Sequence, residues 1–207
     1  MKYIDVETWD RAIHYKIFKD NVQPHYCITF NLDITKFLPK IREKGFSFTF
    51  SFIYAVTKCA NQVEQFRCRF LDGKPVIYDT IDTSFNYLNK ETELFKSINV
   101  PMQDSMEEYV ALAKQTEENQ KDYFVFGGRK NNIYQFSPIP WISFTNISHT
   151  ESGEKSNATP VFNWGKYYES EGKILLPFSV KVHHSFVDGV HVGKFAKILQ
   201  EYLDCVE

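Results

Sequence analysis

A layered α/β or α+β fold is what this sequence predicts, and three observations predict it. Segments of strand and helix character alternate in mixed order along the chain. The stretch from Thr49 to Gln62 is apolar over much of its circumference, as a buried helix is. The last third is rich in alternating segments and closes on an amphipathic one. Neither a low-complexity linker nor an internal repeat divides the chain, so residues 1–207 are expected to form one domain. A core of that size buries roughly 70% of the surface its unfolded chain exposes.

Thr8-Trp9-Asp10-Arg11 opens a short helix, with Thr8 placed to cap it. Tyr26 to Leu32 reads as a strand ending at Asp33, which caps a helix over about Ile34 to Arg42 that has to accommodate Pro39. After the buried helix, Phe66 to Phe70, the turn Leu71-Asp72-Gly73-Lys74 and Pro75 to Tyr78 form a hairpin signature. Ser84 to Leu88 is a further strand, and Ser105 to Gln120 an acidic amphipathic helix. Trp141 to Ile147, Val161 to Tyr168 and Lys173 to Val182 alternate as strands, the last two separated by the turn Glu169-Ser170-Glu171-Gly172. Val192, Phe195, Ile198, Leu199 and Leu203 recur at helical spacing, which predicts a final helix from Val190 to Leu203 packed on one face.

Composition excludes several classes. With 43% hydrophobic and 24% charged residues the chain is ordinary for a globular protein. Its 24 Lys+Arg against 26 Asp+Glu leave a net charge of −2, so no general attraction to nucleic acid or an anionic membrane is expected. The first residues carry acids and no apolar run, no stretch approaches the length of a membrane helix, and the cytoplasm is the expected compartment. Cys27, Cys59, Cys68 and Cys205 show no ligand-like spacing and are expected reduced and buried. The 19 Phe and 12 Tyr suit a core, an apolar ligand tunnel or a subunit interface.

The informative stretch is Phe178-Ser179-Val180-Lys181-Val182-His183-His184-Ser185-Phe186-Val187-Asp188-Gly189. Alternation puts Phe178, Val180, Val182 and His184 on one face and Ser179, Lys181 and His183 on the other. His184 is therefore expected at the end of an apolar face, aimed inward, with His183 turned to polar surroundings. A histidine at such a strand end, before a turn and a helix, is where a general base can be held rigidly at a pocket mouth. Taken alone the HxxxD spacing is weakly specific, and a core histidine with a turn or cap aspartate is the plainer reading. A metal reading would use His183, His184, Asp188 and His191, but adjacent histidines diverge on a strand. A Ser185 or Cys27 nucleophile has neither an elbow motif nor a recognisable partner.

His183-His184-Ser185-Phe186-Val187-Asp188-Gly189-Val190-His191-Val192 closely resembles the HHAVCDGFHV-type signature of the chloramphenicol acetyltransferase family, and Leu175 to Val182 is similar to that family's final strand. The resemblance runs along the chain: Trp9-Asp10-Arg11, Ile53-Tyr54, Ala60-Asn61, Phe66-Arg67, Lys90-Glu91-Thr92-Glu93-Leu94-Phe95, Pro140-Trp141-Ile142-Ser143-Phe144 and Gly165-Lys166-Tyr167-Tyr168 all match family motifs in register. It implies a two-layer sandwich of a mixed sheet covered by helices, assembled as a homotrimer with active sites at subunit interfaces. It implies acetyl-CoA as co-substrate, no metal, and a small-molecule alcohol as acceptor. His184 would be the general base that activates the acceptor hydroxyl for direct attack on the thioester. Asp188 would be structural, ion-paired with Arg11. Phe18, Tyr26, Phe95 and Ile133 fall at acceptor-pocket positions, and Tyr167 where it would pack on the CoA adenine.

Three family positions that usually carry a hydroxyl hold asparagine in this chain: Asn146, where a serine steadies the oxyanion, Asn163 and Asn86. An asparagine amide donates to an oxyanion as a hydroxyl does, and losing one such donor costs about 2.7–4 kcal/mol in other enzymes. The resemblance therefore implies acetyl transfer to a hydroxyl of chloramphenicol, an antibiotic resistance activity. The asparagines raise the alternative of a different alcohol. A trimeric binding protein without turnover is the reading from another class.

Overall fold

The structure is a computed structural model that describes residues 1–124, 131–150, 153, 154 and 156–206. Its elements run β1 (Lys2–Tyr3), α1 (Ala12–Phe18), β2 (His25–Asp33), α2 (Phe37–Glu43), α3 (Phe48–Ala60), a 3-10 turn (Glu64–Arg67), β3 (Cys68–Leu71), β4 (Lys74–Ile77), β5 (Asp82–Leu88) and β6 (Phe95–Val100). They continue with α4 (Met106–Asn119), β7 (Ile133–Phe136), β8 (Val161–Trp164), β9 (Tyr168–Ser170), β10 (Lys173–His183) and α5 (Gly189–Asp204). The main sheet is seven-stranded, in the order β2-β10-β8-β7-β5-β6, with β9 pairing on β10. The β5–β7 and β7–β8 pairs are parallel and the others antiparallel, so the sheet is mixed. A small sheet, β1-β4-β3, stands apart.

Alternation along the strands divides the sheet into two unlike faces. Phe178, Val180 and Val182 of β10 are opposite Phe30, Ile28 and Tyr26 of β2, and Phe162 and Trp164 of β8 complete this apolar face. Helices α3 and α5 cover it: Phe52 meets Trp164 and Phe178 edge-on, and Phe195 lies 5.5 Å from Phe162. The aromatic surplus of the sequence thus fills the layer between sheet and helices. On the other face Thr29, Ser179 and Asn163 stand side by side across β2, β10 and β8. Asn86 faces Ser97 across β5 and β6 and donates to Ser137 Oγ just beyond β7. One face is oil and the other a row of hydroxyls and amides.

Local chemistry explains most element boundaries. Asp72 (φ 51°) and Gly73 (φ 72°) make the tight turn of the β3–β4 hairpin, and Glu171 (φ 51°) and Gly172 (φ 77°) that between β9 and β10. Ser105 and Glu108 cap α4 reciprocally. Pro39 sits in the first turn of α2, where its missing N–H has no partner to lose. Val192, Phe195, Leu199 and Leu203 are the buried face of α5.

Several expectations need correction. Thr8 does not cap α1; its hydroxyl donates to Asp5 Oδ2, and the helix starts after Arg11. Asp33 caps no helix either, because Thr35 occupies its Oδ1 through both N–H and hydroxyl and delays α2 to Phe37. Phe66 and Arg67 belong to the 3-10 turn instead of β3. Trp141 to Ile147 is no strand: Trp141 and Ile142 are exposed, and the segment is strapped across Gly165-Lys166, Ile142 O accepting from Lys166 N at 2.7 Å. β8 accordingly stops at Trp164, short of Tyr168. The cysteines are all free, but only Cys59 and Cys68 are buried; Cys27 is half-buried and Cys205 exposed. Burial pushes the thiols of Cys59 and Cys68 up to about 12. No helix among the described residues is long and apolar enough to cross a membrane.

The strap makes a sharp demand on Gly165. A Cβ at this position would lie 2.7 Å from the Ile142 carbonyl oxygen and 3.0 Å from the Phe144 ring. Gly165→Ala is expected to lower stability by about 1–3 kcal/mol, the usual range for overpacking. Urea melts of the two proteins measure it, and an unchanged midpoint would show that the strap gives way freely.

Candidate functional site

The loop Ser185 to Asp188, between β10 and α5, is held from outside by one guanidinium. Arg11 stands just ahead of α1, anchored by Trp9 and Tyr15, whose rings pack against Phe186. Its Nε donates to Ser185 O at 2.8 Å and its Nη2 to His184 O at 2.9 Å. Nη2 also reaches Asp188 Oδ1 at 2.6 Å, while Nη1 takes Asp188 Oδ2. A planar fork that satisfies both carboxylate oxygens and two loop carbonyls fixes orientation as well as charge. Its hydrogen bonds and charge hold the Asp188 carboxyl below the usual carboxylate range.

His184 is gripped within that frame. Its amide donates to Pro24 O at 2.8 Å. Its ring stacks on Phe18 with centroids 3.8 Å apart and planes 5° from parallel, and the Tyr26 ring closes in at 4.9 Å. Nδ1 is buried 3.1 Å from Asp188 Oδ1, without hydrogen-bond alignment. The side chain is 36% exposed, so the open edge of the ring is the opposite one, which carries Nε2. Tyr26 donates its phenol to Val187 O at 3.2 Å; burial, reinforced by the Asp188 charge, pushes its pKa up to about 12 and keeps that donor protonated.

The expected orientation of the two histidines is reversed. β10 ends with His183 paired to His25, and His184 already belongs to the turn. His183 is the buried one, 1% exposed, edge-on to His25 and Phe70. Alternation fails because the Arg11 and Pro24 contacts turn the chain at His184, and because β3 covers the sheet's polar side at this end. Among the described residues no group of three His, Cys, Asp or Glu side chains converges as a metal site.

The remaining candidates are scattered over the single chain. Asn163 is fully buried on β8; its Nδ2 lies 2.8 Å from His149 Nε2, and its Oδ1 has no partner. Asn86 is half-buried on β5, and Asn146 is exposed within the strap. Phe95 is 47% exposed and meets Phe124 edge-on, away from the histidine loop in the fold. Ile133 opens β7, buried, with its carbonyl taken by the wholly buried Arg69. Tyr167 accepts from Arg42 at 2.9 Å beside Phe48. Sequence reading missed His149, and it assigned His191 only to a metal alternative. His191 Nδ1 accepts from the Asp188 amide at 2.9 Å, a role that its spacing three residues after an N-cap aspartate already signals.

A mixed sheet with helices over one face and a loop histidine clamped at the end of its longest strand is an arrangement shared with solved acyltransferases. The probable dihydrolipoamide acetyltransferase of Listeria monocytogenes has the fold too, with a TM-score of 0.65 at 14% identity over 99% of this chain and 94% of that one. A solved chloramphenicol acetyltransferase superposes with a TM-score of 0.89 at 26% identity, covering 98% of this chain and 99% of its own. The sequence profile of the chloramphenicol acetyltransferase family matches residues 1–200. Chloramphenicol acetyltransferase 2 of Escherichia coli is 31% identical over 97% of this chain and 96% of its own length. The chain belongs to the chloramphenicol acetyltransferase family and is an acetyl-CoA-dependent O-acetyltransferase.

Arg11→Met strands the Asp188 carboxylate and two loop carbonyls. Breaking a buried ion pair costs about 3–5 kcal/mol, and the loss here should fall below that, because Asp188 is 26% exposed. The folded Asp188 titrates below its ordinary 3.8, so its contribution is complete above that value and disappears as pH falls through the lowered one. Melts from pH 7 down to pH 3 should show the gap between wild type and Arg11→Met closing toward the acid end. A gap constant with pH would contradict the pairing.

Proposed function

We propose that the chain moves the acetyl group of acetyl-CoA to a hydroxyl of chloramphenicol, which would give resistance to that antibiotic. The observation that carries this reading is the geometry of His184: Nδ1 is buried beside Asp188 while the Nε2 edge stays open. Nε2 takes the proton of the acceptor hydroxyl as its oxygen attacks the thioester carbonyl, and the imidazolium returns that proton to the departing CoA thiolate. Asp188 and Arg11 hold the ring and do not relay the proton. Orientation of the reacting groups lowers such a barrier by up to about 7–11 kcal/mol and general-base catalysis by about 3–5 kcal/mol, so positioning contributes the larger share.

Asn146 would donate to the oxyanion. Asn163, Asn86, Phe18, Tyr26, Phe95 and Ile133 would line the acceptor pocket, and Tyr167 would pack on the CoA adenine. These groups do not form one pocket within a single chain, which supports a homotrimer with sites between subunits. Ile13 and Ile17 on α1 and Val22 beyond it, 71%, 58% and 84% exposed next to Phe18 and the histidine loop, are apolar surface of the kind such contacts cover. The cytoplasm is the compartment proposed. A second reading keeps the reaction and changes the acceptor: the buried, unpartnered Oδ1 of Asn163 can only accept, so it asks for a donor, where a threonine hydroxyl could itself donate.

Thiol release from acetyl-CoA with a panel of alcohols tests both. Release with chloramphenicol that His184→Ala abolishes is the expected result. Release with other alcohols only would favour the second reading, and ligand-dependent melting shifts without any release would leave a binding protein. Sedimentation should give about three times 24.3 kDa, and a stable monomer would contradict a shared site.

A further inference from the structure

We propose that neutral His191 is a positioning residue of the catalytic loop, holding the Asp188 backbone and, through it, the face that orients His184. The inference rests on His184 being the base. Asp188 is the N-cap of α5, but Arg11 has claimed both of its carboxylate oxygens. The reciprocal half of the cap comes from His191: the Asp188 N–H donates to His191 Nδ1 at 2.9 Å, and the His191 N–H donates to Asp188 O at 2.9 Å. This is the place where a capping box normally carries Glu or Gln. An imidazole can fill it only with a lone pair on Nδ1, so its proton must be on Nε2.

The surroundings enforce that state. Arg11 faces His191 from the start of α1, Lys194 from the next turn of α5, and Asp188 from the loop, with His184 on the far side of the same carboxylate. Burial comes first, and the Arg11 charge second, in lowering its pKa from 6.5, against the opposing pull of Asp188. A depressed histidine stabilises the fold above its ordinary pKa, and that contribution is lost as pH falls below it. Protonation removes the acceptor, adds a cation beside Arg11 and frees the Asp188 amide. Acid then loosens the loop through the Asp188 backbone.

His191→Gln and His191→Leu separate this role from bulk packing, since Gln supplies an acceptor that does not titrate and Leu supplies none. On acidification from pH 8 to pH 5, wild type should lose more melting temperature than His191→Gln; equal losses overturn the proposal. At pH 8, His191→Leu should lower kcat by roughly 2- to 30-fold, the span of one helix-cap bond, with KM for acetyl-CoA little moved and with His191→Gln restoring most of kcat. Wild-type kcat in His191→Leu overturns it too. Should His191→Leu fail to fold, the His191→Gln melts decide alone. The melts need no acceptor, so a wild type without acetyl transfer would sink the functional reading and leave this comparison intact.

Discussion

Everything at this site is arranged around one contact, the fork of Arg11 on Asp188. The two residues are 177 positions apart in the chain, and between them they close the turn that follows the longest strand of the sheet. The same guanidinium takes the carbonyls of His184 and Ser185, so the loop backbone and its carboxylate are oriented by a single rigid group. Only then does the imidazole have one buried nitrogen and one open one. A lysine in place of Arg11 could balance the charge but could not span four acceptors in a plane.

The sheet supplies the rigidity behind that clamp. Its apolar face is filled with interlocking rings from α3, α5 and the strands, and it fixes where β10 ends. Its other face carries the polar row of Thr29, Ser179, Asn163, Asn86 and Ser97. A sheet covered by helices on one side only has to meet something polar on the other.

Much of this was legible in the sequence, and the failures are instructive. The DG hairpin, the buried α3 and the closing helix follow from turn chemistry and apolar period, and they stand where those signals put them. β6 was hidden because Lys96 takes a position on the helix-facing side where period two calls for an apolar residue; it is there to pair with Glu117 of α4 at 3.0 Å. Trp141 to Ile147 imitates a strand in sequence only: Trp141, Ile142 and Ser143 are exposed in succession, so the strap over Gly165 keeps no alternation. His184 was misjudged for a related reason: alternation describes a strand only while its pairing lasts, and pairing stops one residue earlier. The Arg11–Asp188 contact came from family resemblance alone, since nothing local in either segment points to the other.

A double-mutant cycle on kcat/KM tests the clamp most directly, using Arg11→Met, Asp188→Asn and the two combined. If one unit orients the imidazole, the double variant should be no slower than the worse single one, because the second change removes what the first has already broken. Losses that multiply would mean the two residues act independently on the reaction, and the clamp would not be what sets the histidine.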